Sequence, residues 1–484
     1  MKRFVNVRIP VILAFAVAAG IGLQYLIRNI LWIIAVIPIA AVIFILSVVF
    51  IKRKTFSATV VLIAVAILSG AVNCCLRMES FSAEEIPSGE IYSVSAVVHE
   101  KGETDYGEYI ILRNVTADET EIHGKIIVYL GQNYGEFCDA GYKVNFISVL
   151  DKLSLSSNYN AHENVRYSCT VNGGLTSEYK FSLFAAIRSA VRNTLYNNLD
   201  GNTAAVVFAM LTGNTQGIDE DMLDGVRYGG IAHVFAVSGL HIGIVYGILY
   251  FILKKLKINK YVGAALCILP VFFYAGVCGF TLSSVRAAIM CTVASFAKLF
   301  NKKYDGLNSL AISAGIIMTV SPFSLFNVGF QLSITAVLGI NLLKLPKKLP
   351  AAIKIPFAAQ AGTAPVMLAG FGYLSAVGLI ANIVLIPVIS ALFTVLFIGT
   401  LIATALPFAA FLLPYAVLPL EGLISFFGAS GLEKALIYFD AGIWIPFYYA
   451  GIFALSDKIN LKASTRFIAV CVAVAAVCIC VLLT

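Results

Sequence analysis

Residues 228–247 read YGGIAHVFAVSGLHIGIVYG, and how this stretch is read decides the fold. Gly229 and Gly230 end whatever precedes them, because glycine accepts the left-handed backbone on which helices stop. A charge-free apolar run then begins, and such a run reads as embedded in a membrane. Within it stand His233 and the string Ser238-Gly239-Leu240-His241. Polar groups in that setting are expensive unless something uses or pairs them. The two histidines are eight residues apart, about 80° around an ideal helix, so they can face one lumen; a break at Ser238-Gly239 would change that geometry. The plainer reading is that the glycines permit close helix packing and the histidines bond carbonyls of neighbouring helices.

The rest of the chain supports the membrane setting. Of 484 residues 60% are hydrophobic and 12% charged, and the mean hydropathy is +0.89. That composition belongs to a polytopic α-helical membrane protein. Apolar runs near 9–27, 31–50, 56–76, 261–279, 283–300, 306–320, 328–344, 355–373, 376–405, 408–427, 441–456 and 467–483 join the opening stretch. They predict about 11–13 spans, some broken or re-entrant. Pro387 marks an expected break inside a run too long for one plain crossing. The opening basic residues and apolar run resemble a signal peptide, but further spans follow without a convincing cleavage site, so an uncleaved anchor is expected.

The net charge of +8 hides a split. Residues 79–178 hold sixteen acidic and six basic side chains, and the remainder carries the basic excess. Most of that excess sits in six clusters at the ends of apolar runs: Lys2/Arg3/Arg8, Lys52–Lys54, Lys254–Lys260, Lys298–Lys303, Lys344–Lys354 and Lys458–Arg466. All six can lie on one side, which the positive-inside rule makes the cytoplasm. The N-terminus is then cytoplasmic and the acidic segment extracytoplasmic.

That segment alternates apolar and polar residues at Ile91–Val98, Tyr109–Ile111, Ile126–Leu130, Val144–Ile147 and Val165–Cys169. About five strands between turns predict a small all-β, OB-like barrel. Such barrels often bind single strands on a basic, aromatic face, whereas this one is acidic, which favours a structural or docking role. Cys138 and Cys169 stand alone here; facing outward, they are a candidate disulfide worth roughly 2–4 kcal/mol. Further on, Phe181, Phe184, Ile187, Val191 and Leu195 form one face of an amphipathic helix, with Arg188 and Arg192 on the other. The piece at 203–212 is too brief to span and reads as re-entrant. Asp219, Glu220, Asp221 and Asp224 open a helix at its positive dipole end. Four regions are expected: N-terminal membrane helices (1–78), the OB-like domain (79–178), amphipathic and re-entrant helices (179–230) and a membrane core (231–484).

Polar groups recur inside the core. Arg286 follows Ser283-Ser284, Gln331 and Ser333 fall in GFQLS, Gln360 and Thr363 in AAQAGT, and Asn382 in IANIVLIP. Arg286 is the sharpest signal, since no acidic residue lies in the nearby spans. It must face water, a phosphate or carbonyls, or snorkel to the interface. No metal-ligand spacing and no GxxxxGK[ST] loop occurs, so neither a metal nor another cofactor is expected.

Four stretches resemble the ComEC family of competence proteins: HVFAVSGLHIG (233–243), YAGVCGFTLSSVRAAIM (274–290), SPFSLFNVGFQLSITAVLGI (321–340) and AGTAPVMLAGFGYLSAVGLIANIVLIP (361–387). They occur in family order and cover the membrane core. The resemblance implies a channel or permease in the bacterial cytoplasmic membrane, passing single-stranded transforming DNA inward. It also implies an extracytoplasmic DNA receptor and a cytosolic helicase-like ATPase as partners, with homo-oligomers open. Many members carry a further metallo-β-lactamase-like domain whose histidine-rich motif does not occur in this sequence; the expectation is a non-enzymatic chain with any nuclease on a separate polypeptide. Arg286 is then the expected phosphate contact, and His233, Ser238, Gly239, His241, Gln331 and Asn382 line or shape the path. Two alternatives stay open at this point. One is a small-solute secondary transporter. The other is an intramembrane serine hydrolase with Ser238 as nucleophile and His233 or His241 as base.

Overall fold

The computed structural model describes residues 9–27, 54–83, 85–104, 107–130, 141–153, 164–171, 174–179, 182–343, 345–346, 348–429, 436–438 and 445–456. The chain divides into two units, one of residues 13–190 and 315–327, the other of residues 1–12, 191–314 and 328–484.

The first unit joins two helices to a barrel. Helices α1 (Ile9–Ile27) and α2 (Lys54–Ser82) meet backbone to backbone: a methyl group on Gly20 would collide with the Ile67 carbonyl, and one on Gly70 with the Val17 carbonyl. Without burial to gain between lipid-solvated helices, small residues at a crossing allow this approach. The chain then forms β1 (Glu90–Thr104), β2 (Gly107–Ala117), β3 (Thr120–Ile122), β4 (Lys125–Leu130), β5 (Tyr142–Lys152), β6 (Val165–Val171) and β7 (Thr176–Tyr179). Strand pairing closes on itself in the order β1-β2-β4-β6-β5-β1, with β4 and β6 parallel and every other pair antiparallel. Five strands in that order make an OB-like barrel.

The two-residue period puts alternate side chains inside. Val94, Ala96 and Val98 face Phe146 and Val144 across β1 and β5, while Ile110, Leu112, Ile126, Val128, Tyr167, Cys169 and Val171 complete the interior. Each of the larger ones contributes roughly 1.5–3 kcal/mol by leaving water. All five expected strands are present. Strands β3 and β7 add to them, and their sequences TEI and TSEY lack the alternation that would announce them. Cys169 carries a free thiol, 4% exposed; Cys138, its expected partner, lies outside the described residues.

A polar knot ties this barrel to the end of α2. Arg166, 4% exposed, pairs with Glu85 and bonds Ser80 Oγ at 2.6 Å, while Lys152 Nζ donates to the Ser82 carbonyl at 2.6 Å. Both cations thus meet the negative end of the helix, where carbonyls lack intrahelical donors.

The second unit is helical. In chain order it holds the end of α3 (Leu183–Tyr196), then α4 (Gly201–Thr212), α5 (Glu220–Tyr228), α6 (Gly239–Lys255), α7 (Lys260–Val277), α8 (Leu282–Leu299) and the start of α9 (Gly306–Val320). It continues with α10 (Val328–Leu342), α11 (Ala351–Phe371), α12 (Gly378–Ala405), α13 (Leu413–Ala429) and α14 (Ile445–Leu455). Six described helical stretches are long and apolar enough to cross a membrane: 9–27, 62–82, 232–255, 260–277, 282–299 and 378–405. The chain is a polytopic helical membrane protein with a β insert. The runs at 31–50 and 467–483 lie outside the described residues.

Helix α4 is buried from Thr203 to Thr212, as a backbone too short to span requires. Tyr274 Oη donates to its Leu211 carbonyl at 2.8 Å. Helices α10 and α11 approach through Gly339 and Gly362, where a methyl on either would strike the carbonyl of Ala358 or Thr335. Pro387 does not break α12, which runs unbroken for 28 residues. The interruption falls instead between α5 and α6.

Candidate functional site

That interruption builds the site. Helix α5 is capped at its start by Asp219, which accepts from Asp221 N at 3.1 Å, and ends at Gly229. Gly230 has φ +71°, and its close neighbour is the Gly378 Cα on α12. Asn382, also on α12, donates from Nδ2 to the Gly230 carbonyl at 3.3 Å, so it pins the turn rather than pointing away from it. A short 3-10 turn, Ala232–Val234, follows. Val234, Phe235 and Val237 are buried and anchor it, while His233 is exposed.

Ser238 then starts α6. Its Oγ accepts from Leu240 N at 3.3 Å, and its own N–H donates to His241 Nδ1 at 3.2 Å. This is a reciprocal capping box in which histidine takes the place usually held by glutamate or glutamine. With Nδ1 accepting, the neutral ring carries its proton on Nε2. His241 is 1% exposed, its ring centroid lies 4.4 Å from that of Phe393 on α12, and Nε2 has no partner among the described residues. The hydrolase alternative needs an imidazole nitrogen facing Ser238 Oγ. Here the facing nitrogen holds the Ser238 backbone, and the hydroxyl oxygen holds Leu240. Ser238 and His241 are a helix cap.

Arg286 reaches the same place from α8. That helix is capped by Thr281, and it packs on α6 through Tyr246 Oη and Ser295 Oγ at 3.0 Å and through Lys298 Nζ, 3.5 Å from the Tyr250 ring centre. Arg286 is 4% exposed. Its Nη1 donates to the Ser333 carbonyl on α10, beside a 3.0 Å contact between Ser283 Oγ and Ser333 Oγ. Nη2 lies against Gly239: a methyl there would stand 2.9 Å from it. Nε has no partner, and no carboxylate pairs with the guanidinium among the described residues. Snorkelling is therefore not its arrangement.

Five of the seven expected path residues thus gather around one helix start. Ser238, Gly239, His241 and Arg286 meet there, and His233 stands exposed on the turn just before it. Asn382 shapes the preceding turn. Gln331 is half-buried on α10, about 200° around the helix from Ser333, and does not share its face. Sequence reasoning passed over Phe393, whose apolar run gives no sign of a ring against His241. Beneath the turn lies a small apolar void lined by Met210, Met222, Val226, Ile231, Val234, Phe235, Ile389, Leu420 and Leu423, which has nothing to offer a polar ligand.

Comparison with known proteins places this region. The family model described as Competence protein matches residues 210–460, more than half of the chain. Among curated relatives, ComE operon protein 3 of Bacillus subtilis is 25% identical over 236 residues, covering 47% of this chain and 30% of that protein. Recombination protein 2 of Haemophilus influenzae is 24% identical over 312 residues, covering 59% of this chain and 39% of that protein. The matches therefore span about a third of the length of these relatives. No solved structure matches the chain. The family model takes in every helix around Arg286 and Gly239, and the chain belongs to the Competence protein family.

Proposed function

We propose that this chain forms the cytoplasmic-membrane channel through which single-stranded DNA enters a bacterial cell during natural competence. The match to the Competence protein model and to relatives named ComE operon protein 3 and Recombination protein 2 fits this reading. The observation that carries it is Arg286, a buried cation within an apolar helix with no carboxylate partner among the described residues. A strand bearing one charge per nucleotide is excluded from a bare apolar pore, so its route needs a few cations and polar groups. One such cation, backed by a capped helix start and an exposed histidine, attracts the polymer without trapping it. The basic clusters put the N-terminus in the cytoplasm and the OB-like barrel outside. With no GxxxxGK[ST] loop in the chain, a cytosolic helicase-like ATPase or the membrane potential supplies the pull, and an outer receptor delivers the DNA.

A photo-cross-linking residue at exposed His233, used during uptake of labelled DNA, tests the path. Its control is the same residue at Phe251, also exposed, on α6. Label attached at 233 and not at 251 supports the channel. Label at neither, while DNA still enters, removes this stretch from the path.

A further inference from the structure

The start of α6 gathers more hydrogen-bond donors than its acceptors take up: Ser238 Oγ serves Leu240 N and the Ser333 carbonyl serves Arg286 Nη1, while other donors have no partner among the described residues. Gly239, the first helical residue, has an N–H that no intrahelical carbonyl reaches. The aligned peptides place the positive end of the helix dipole at the same point. The Arg286 guanidinium lies against this glycine, with Nε unpartnered and the side chain 4% exposed. The Nε2–H of His241, two residues further along α6, is buried and unpartnered as well.

A fixed cation buried at the positive end of a helix, with no carboxylate partner among the described residues, is a repulsive arrangement in a medium of low dielectric. An anion beside both reverses the sign of the interaction. A methyl at position 239 would stand 2.9 Å from Arg286 Nη2, so the tip of the guanidinium would have to give way. The glycine therefore lets the guanidinium come up against the helix start.

We infer that Gly239, the N-terminus of α6 and Arg286 form a single oxyanion site that takes one phosphate group. Helix N–H groups and a guanidinium are a donor set suited to tetrahedral phosphate. The identity of the natural ligand, a phosphodiester of the passing strand, rests on the channel reading above; the site itself does not. Free phosphate and a lipid phosphate share this chemistry. One site of this kind meets each phosphate in turn and releases it, as conduction of a polyanion requires.

The test uses the full chain in phosphate-free maltoside detergent. Labelled inorganic phosphate is measured by equilibrium dialysis, and a fluorescent oligothymidylate by anisotropy. The same oligomer with an uncharged methylphosphonate backbone and added phosphatidylglycerol serve as comparisons. Expected are one phosphate per chain, a loss of about tenfold or more in Arg286→Gln, partial recovery in Arg286→Lys, and competition between phosphate and the charged oligomer only. Thermal melts of each variant separate lost binding from lost folding. Phosphate binding unchanged in a folded Arg286→Gln overturns the site, even where the oligomer still binds and the channel reading survives. Arg286-dependent phosphate binding with no competition from the charged oligomer keeps the site and overturns its assignment to DNA. Displacement by phosphatidylglycerol alone reassigns it to a lipid headgroup.

Discussion

Arg286 and Gly239, on different helices, are fitted to one another: the glycine leaves room for the guanidinium, whose Nη2 would lie 2.9 Å from any methyl placed there. The pairing joins the SGLH stretch of α6 to the SSVRAA stretch of α8 and separates what stability needs from what transport needs. Alanine is the better helix former by roughly 0.5–1 kcal/mol, so Gly239→Ala should leave the melting temperature unchanged or raised. It should nevertheless lower DNA uptake by about tenfold, since the guanidinium tip must move. Parallel melting curves and transformation counts check this, and a loss of both together would contradict it.

The capping box makes a second prediction. Ser238→Ala removes the acceptor for Leu240 N and should destabilise the protein by ~1 kcal/mol, whereas Ser238→Asp or Ser238→Asn should retain most of the stability. A catalytic serine would tolerate neither replacement. Uptake retained in Ser238→Asn identifies the residue as a cap.

Glycines elsewhere in the core divide by what surrounds them. Gly339 and Gly362 sit where α10 and α11 touch backbone to backbone, and Gly243 and Gly247 face open space. Leucine at 339 or 362 must drive the helices apart and should abolish folded protein in the membrane; alanine there should cost about 1–3 kcal/mol. Alanine at 243 or 247 should be neutral or mildly stabilising. Size-exclusion profiles of detergent-solubilised variants distinguish the two classes.

In the barrel, burial pushes the Cys169 thiol from its ordinary 9.0 up to about 12, with Ser148 opposing the shift and Asp151 adding to it. The folded state therefore keeps a proton that the unfolded chain releases. This contribution to stability is whole below about pH 9 and drains away as pH rises towards 12. Cys169→Val should flatten the fall in barrel stability across that window. In native protein the buried thiol should resist alkylation, and unfolding should expose it to the same reagent.

Arg166 and Glu85 are the matching test of the link between α2 and the barrel. Arg166→Ala strands Glu85, which is 18% exposed, and should cost about 2–4 kcal/mol, while Arg166→Met with Glu85→Gln should recover part of it. Limited proteolysis after residue 83 reports the loosening.

The barrel was legible because half-buried strands alternate, and most of the residues that announced it fill its interior, although Ile91 and Ile147 face outward. Strands β3 and β7 were not, because polar residues at a hairpin tip or barrel edge carry no period. Pro387 misled, because a proline inside a long apolar helix removes one hydrogen bond without having to end the helix. Arg286 and Gly239 stood out singly as a charge and a gap in apolar sequence. Their meeting depends on how α6, α8 and α10 pack, which no local pattern records. The S-x-x-H spacing was visible too, but three residues suit a catalytic pair and a capping box alike, and only the direction of Nδ1 tells them apart.

The most direct measurement follows labelled duplex DNA into cells carrying the intact gene, a deletion, or Arg286→Ala expressed in the membrane, counting as internal only label that resists external nuclease. The account predicts that the deletion binds DNA outside and internalises none, and that Arg286→Ala behaves in the same way. Undiminished internalisation in the deletion strain would contradict it.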